Sequence, residues 1–201
     1  MFNLIRRDVI LQKRQLLIFI PFILFFIIMD AHPALTFLVA SIFIPFNTYA
    51  YDEKVETNIL LNSLPYTRTE IIASRYVGAI VYMVLSIGVT SLALFVFNKP
   101  FTMTDIAIGG GLFLVFAAFT FPLFYIFKPG YITTVVIISF LLLAGIGPPI
   151  VRFLGKHFTA ITDFILNLSI SSLYTGAAVV IMTLYAVSWV VTNIIYQRKA
   201  F

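Results

Sequence analysis

The sequence predicts an all-α integral membrane protein with six transmembrane helices. It adds an N-terminal interfacial helix, a cytoplasmic helix between spans 2 and 3, and an external re-entrant helical hairpin between spans 5 and 6. Three observations carry this. The 201 residues are 61% hydrophobic and only 10% charged, whereas globular chains carry about 25% charged residues. Six apolar runs hold no Lys, Arg, Asp, Glu or His. Finally, the basic residues fall mostly in alternate connections, which is how topology is written into membrane proteins.

The elements follow in order. Residues 1–15 place Phe2, Ile5, Val9 and Leu16 along one helical side, with Asn3, Arg7 and Arg14 on another. That pattern describes a helix lying in the inner interface, basic through Arg6, Arg7, Lys13 and Arg14 with Asp8 among them; Ile10 and Gln12 interrupt it. The basic start followed by an apolar core resembles a signal peptide. The exit, however, reads Asp30-Ala31-His32-Pro33 with no small-x-small cleavage site, and further spans follow. The segment is therefore a retained anchor. The spans run over residues 16–29, 34–50, 76–97, 106–127, 132–151 and 174–195, the last four reaching the ~20 residues that a ~30 Å hydrocarbon core requires. The first is short and must borrow flanking residues. The tight turn at Asp30–Pro33 makes spans 1 and 2 a hairpin.

Orientation comes from Lys and Arg. With the N-terminus inside, cytoplasmic segments hold ten of them (residues 6, 7, 13, 14, 54, 68, 75, 128, 198 and 199), against Lys99, Arg152 and Lys156 outside. Both termini are thus expected in the cytoplasm, and the net charge of +5 reads as topology rather than as nucleic-acid binding. Tyr49, Tyr51, Tyr76, Tyr125, Tyr131 and Tyr196 fall at the cytoplasmic span ends, where an aromatic belt is expected.

Two connections are unusual. Residues 51–75 hold a third of all the charge. Val55, Ile59, Leu60 and Leu61 among Asp52, Glu53, Glu56 and Asn62 predict a short amphipathic helix, broken by Ser63-Leu64-Pro65-Tyr66. Helix then restarts at Thr67-Arg68-Thr69-Glu70, a capping box in which the Thr67 hydroxyl caps the Glu70 amide and Glu70 reaches back to the Thr67 amide. A hairpin needs only a few residues; the length and layout here point to a docking surface for another protein, with a rigid rod leading from it into span 3. Outside, residues 152–173 carry an apolar stripe of Phe153, Phe158, Ile161, Phe164, Ile165 and Leu168. Gly145, Gly147, Pro148 and Pro149 precede it and predict a break in the fifth helix near its outer end.

Much chemistry is excluded. No GxxxxGKS/T is present, so the chain carries no P-loop for ATP. The Gly109-Gly110-Gly111 run sits within a span and reads as close helix packing, with Ala117 and Ala118 nearby. Ionisable groups at mid-membrane, costly and kept for work, are missing. That argues against a proton-driven transporter and an intramembrane metalloprotease. Cysteine is absent, and His32 and His157 are separate and external, so no metal set is expected. Phe19, Phe22, Phe25 and Phe26 in span 1, with Phe113, Phe116, Phe119, Phe121, Phe124 and Phe127 in span 4, suggest either a lipid-facing surface or a path for an amphipathic or hydrophobic cargo. The polar groups in or near the spans are few, among them Asn47, Thr48, Thr90, Ser91 and Thr120.

LNSLPYTRTEIIASRY, residues 61–76, resembles the first cytoplasmic loop of the type-2 ATP-binding-cassette (ABC) exporter permeases, which often show Leu-Pro-x-Ser/Thr-Arg-x-Glu-Ile followed by a basic and an aromatic residue. Leu64, Pro65, Thr67, Arg68, Glu70, Ile71, Arg75 and Tyr76 match it. FNLIRRDVILQKRQ at the N-terminus resembles the interfacial connecting helix of that family, and the layout of the whole chain is similar. The resemblance implies one transmembrane permease domain over residues 1–201, a coupling helix within residues 51–75, and no enzymatic activity of its own. It also implies a separate ABC-type ATPase subunit holding ATP and magnesium, and a second permease half in the bilayer of the bacterial cell membrane. Small Gram-positive members, including exporters of phenol-soluble modulins, are similar and suggest a peptide cargo. Two rival readings are a membrane-embedded substrate-binding subunit of a vitamin importer and a non-transporting immunity or sensor protein. The thin polar inventory disfavours the first, and an adjacent ATPase gene would disfavour the second.

Overall fold

The computed structural model describes residues 18–54, 67–127, 131–157 and 167–198. Their regular structure is helical throughout: α1 (Ile18–Ile28), α2 (Pro33–Lys54), α3 (Arg68–Val96), α4 (Met103–Ile126), α5 (Ile132–His157) and α6 (Ile170–Arg198). Four of them, α3 to α6, are long and apolar enough to cross a membrane; α1 and the apolar part of α2, Pro33–Asn47, are shorter. At 29 residues each, α3 and α6 extend about 44 Å at ~1.5 Å per residue, leaving several turns beyond a ~30 Å hydrocarbon layer. The expected interfacial helix over residues 1–15, with Arg6, Arg7, Asp8, Lys13 and Arg14, lies outside the described residues, as do residues 55–66 and 158–166.

The ends of α1 and α3 and the starts of α3 and α4 are set by local caps rather than by hydropathy alone. Asp30 and Asn98 each follow a helix in the left-handed region, at φ 58° and 53°. Behind each, two amides turn back: Ala31 N to Phe26 O (3.1 Å) with Asp30 N to Ile27 O (3.2 Å), and Lys99 N to Leu94 O (2.9 Å) with Asn98 N to Phe95 O (3.1 Å). This paired closure satisfies the last carbonyls of α1 and α3, and Asp and Asn tolerate the backbone it requires. Lys99 Nζ then donates to Asp30 Oδ1 at 2.7 Å, joining the two turns. Next to them Thr102 and Asp105 form a capping box that starts α4, with Asp105 N to Thr102 Oγ1 at 3.2 Å and Thr102 N to Asp105 Oδ2 at 2.8 Å.

The expected break in the fifth helix is not there. α5 continues through Gly145, Gly147, Pro148 and Pro149 to His157, so Arg152 and Lys156 belong to its last turns and not to a separate hairpin. A proline ring disfavours helix in the preceding residue by crowding that residue's backbone N–H and Cβ, and before Pro148 the residue is Gly147, which has no Cβ. A break at that depth would also strip more backbone groups of partners than two prolines do.

α4 is apolar on every side and is accordingly the central helix. It packs against α2 and α6, while α3 contacts α2 and α6, and α5 lies along α4 and the edge of α2. Gly109 sets the α2–α4 distance: a Cβ there would stand 2.6 Å from Phe37 Cβ and 2.8 Å from Ala34 O. Close packing, the reading of the glycine run, therefore holds at Gly109. Gly111 is tighter than usual against Ile181, and Gly110 makes ordinary contact. Phe113, Phe116, Phe121 and Phe124 point into the bundle and interleave with Phe46 and Tyr49 of α2, at centroid separations of 4.8–6.3 Å where they pair. Phe25, Phe119 and Phe127 face outward. The phenylalanine content of span 4 is thus mostly core.

Candidate functional site at the start of the third helix

The segment singled out for docking meets the described structure at its two ends. Asp52 and Glu53 lie in the final turn of α2, which runs on to Lys54. Glu56, Asn62, Leu64 and Pro65 lie outside the described residues. The capping box is formed: Glu70 N donates to Thr67 Oγ1 (3.2 Å), and the Thr67 amide and hydroxyl both donate to Glu70 Oε2 at 2.9 Å. These donors, the Thr67 amide first, hold the Glu70 carboxyl below the usual carboxylate range. From that cap α3 runs without a break to Val96.

Arg68 does not simply project from the helix start. Its guanidinium donates to Gln197 O at 2.8 Å and to Tyr196 O at 3.4 Å, the last carbonyls of α6. A cation at a helix C-terminus meets both unpaired carbonyls and the negative end of the dipole, so Arg68 fastens the beginning of α3 to the end of α6. Two turns further on, Arg75 is 7% exposed and lies 5.3 Å from the centroid of the Tyr49 ring. The sequence placed Arg75 in the loop; the structure buries it, with its charge over an aromatic face.

Tyr76 is fully buried, and its hydroxyl lies 2.8 Å from Ser188 Oγ and 2.7 Å from Thr192 Oγ1, both on α6. Ser188 Oγ donates to Ala118 O of α4 at 2.6 Å, and Tyr185 of α6 donates to Tyr76 O at 2.9 Å. Three helices thus meet in one buried polar cluster, framed by Tyr76 stacked on Trp189 and edge-on to Phe121. The aromatic belt expected of the tyrosines is corrected here. Tyr49, Tyr76, Tyr125 and Tyr196 do gather at one end of the bundle, but they are buried among one another, while Tyr131 is exposed. A phenol inside a bundle is favoured where its hydroxyl finds a partner, and Ser188 and Thr192 supply one for Tyr76. Neither serine nor threonine stood out in the sequence, since one residue per helical turn in an apolar run carries no pattern of its own.

The opposite end holds Asp30, His32, Lys99 and Asp105. His32 Nδ1 accepts from Ala34 N at 3.3 Å and lies 3.7 Å from Asp105 Oδ1; His157 Nδ1 lies 3.0 Å from Phe153 O with the two rings stacked. Among the described residues no three or more His, Cys, Asp or Glu side chains group as a metal site. Asn47 and Thr120 use their side chains on their own helices, bonding Phe43 O and Phe116 O at 2.8 Å.

Long apolar helices packed through an aromatic core, with no strand among the described residues, define a multi-pass membrane protein of the helical class. The chain belongs to the family described as ABC-2 family transporter protein, whose model matches residues 3–197. It is therefore an ABC-2 type membrane permease, of a class that works with an ABC ATPase subunit. No curated protein and no solved structure matches it.

Proposed function

We propose that this chain is the six-span permease subunit of an ABC exporter and moves an amphipathic or hydrophobic cargo, a peptide in the favoured case, out of the cytoplasm. Residues 51–75 are its inward-facing coupling element, seated on a separate ATPase, and both termini lie on that side. A second permease half, identical or paralogous, completes the path. The chain contributes no ATP chemistry. Asp52, Glu53, Glu56, Asn62, Leu64 and Pro65 form or orient the contact, while Thr67, Arg68 and Glu70 fix the helix that receives it.

The observation that supports this most is the start of α3. The capping box gives the helix a defined first residue, and Arg68 binds that residue's turn to the last carbonyls of α6. A displacement of the preceding loop would therefore move two long helices together instead of fraying one. The cargo class is supported by the uncharged spans and by the apolar outer faces of α5 and α6, such as Leu141, Leu142, Val187 and Val190. The buried phenylalanines of α4 lend it nothing.

Replacing residues 52–66 with a Gly-Ser linker is expected to abolish co-purification of the ATPase while leaving the permease in the membrane. Retained capture would remove the coupling assignment. In vesicles containing both subunits, labelled amphipathic peptides should accumulate only with ATP; no accumulation would remove the cargo.

A further inference from the structure

Pro122 stands inside α4. It has no amide hydrogen, so the carbonyl four residues earlier, Ala118 O, loses its helical donor, and the proline ring presses the helix open at that point. Ala118 O is also the atom that Ser188 Oγ reaches across from α6 at 2.6 Å. The bond directions follow from counting protons. Ser188 has one hydroxyl hydrogen and spends it on the carbonyl, so Tyr76 must donate to Ser188. Tyr76 has then spent its own, so Thr192 must donate to Tyr76. The result is a one-way chain, Thr192 to Tyr76 to Ser188 to the carbonyl that Pro122 released, every member buried. Elsewhere Ser86 and Thr90 on α3 bury hydroxyls with no partner, so hydroxyl satisfaction is not uniform in this bundle.

We propose that this hydroxyl chain is a latch on a hinge in α4 at Pro122, holding the helix in its present course there and tying that point to the start of α3. Ser188 and Tyr76 are the positioning residues. With Ser188 engaged, the released carbonyl is satisfied and the hinge is held. Withdrawal of Tyr76, which sits less than three turns from the Thr67 cap on the same helix, takes from Ser188 the donor that orients its hydroxyl toward the carbonyl and weakens its hold. The latch is a property of this chain alone. That a push on residues 52–66 would release it rests on the coupling role proposed above, and failure of the linker replacement to abolish ATPase capture would remove that role without touching the latch.

The chain has no cysteine, so spin labels can be placed cleanly at Leu112→Cys and Ile126→Cys, outward-facing positions on either side of Pro122. Their separation distribution is measured by pulsed electron resonance on the full chain in lipid nanodiscs, without an ATPase. Ser188→Ala is expected to broaden it, and amide exchange at residues 123–126 should quicken about two- to tenfold, the population change that one net hydrogen bond supports. Pro122→Ala restores a backbone donor to Ala118 O, so Ser188→Ala should have no such effect in that background. Tyr76→Phe, which keeps the ring packing, should shift both readouts in the same direction as Ser188→Ala and serves where that variant does not assemble. The proposal is overturned if neither hydroxyl deletion alters the distribution, or if Ser188→Ala broadens it equally with and without Pro122.

Discussion

Replacing Thr67 by alanine removes the acceptor that the Glu70 amide uses and one of the donors that hold the Glu70 carboxylate. The expected loss is about 1 kcal/mol at the start of α3, read as faster amide exchange at residues 68–71 with the helix interior unchanged. The same cap predicts a pH response. Because the folded-state pKa of Glu70 is lowered, its contribution is present above the ordinary carboxylate range and is lost as pH falls through the lowered value. Acidification should therefore loosen these same amides, and Glu70→Gln should flatten the response. By contrast Lys99→Ala should change stability by less than about 1 kcal/mol, since the pair it forms with Asp30 is solvent-exposed at both members. The Thr67 cap could be read from four letters of sequence because it is local; Arg68 could not, because its partners at residues 196 and 197 are 128 and 129 positions away.

Helix ends and helix crossings obey different rules. Gly109→Ala places a methyl group inside contact distance of both the Phe37 side chain and the α2 backbone. It should destabilise by about 1–3 kcal/mol through overpacking, seen as a lowered unfolding midpoint in detergent. Gly88→Ala is the matched control: its Cβ would meet nothing within 4 Å, so it should be neutral or gain up to about 1 kcal/mol of helix propensity. The difference between these glycines is invisible in the chain, where both interrupt apolar runs. α5 teaches the reverse lesson. Two glycines and two prolines spell a break by local rules, yet the helix continues, because where backbone groups find few other partners helix outcompetes an irregular turn.

The whole bundle has two distinct ends. One carries Asp30, His32, Lys99 and Asp105, the other Arg68, Arg75 and the buried tyrosines. The proposed topology assigns the first to the outside. Single cysteines introduced at Lys99 and Arg198 test it directly: an impermeant maleimide added to intact cells should label the Lys99→Cys variant and leave Arg198→Cys unlabelled until the membrane is opened. The opposite pattern would reverse the orientation and, with it, the inward placement of residues 51–75.

By itself the sequence determined that this chain lives in a bilayer, roughly where its helices lie, and where α3 begins, since apolar length and a four-residue cap are properties of consecutive residues. The tertiary structure decided which apolar side chains face inward, that the tyrosines form a buried cluster rather than a belt, and that a carbonyl released by Pro122 finds its donor on α6. In lipid a side chain is about equally at home against a tail or a neighbouring helix, so hydrophobicity stops distinguishing inside from outside. Only a close approach, as at Gly109, or a polar atom needing a partner, as at Ala118, fixes which helices meet.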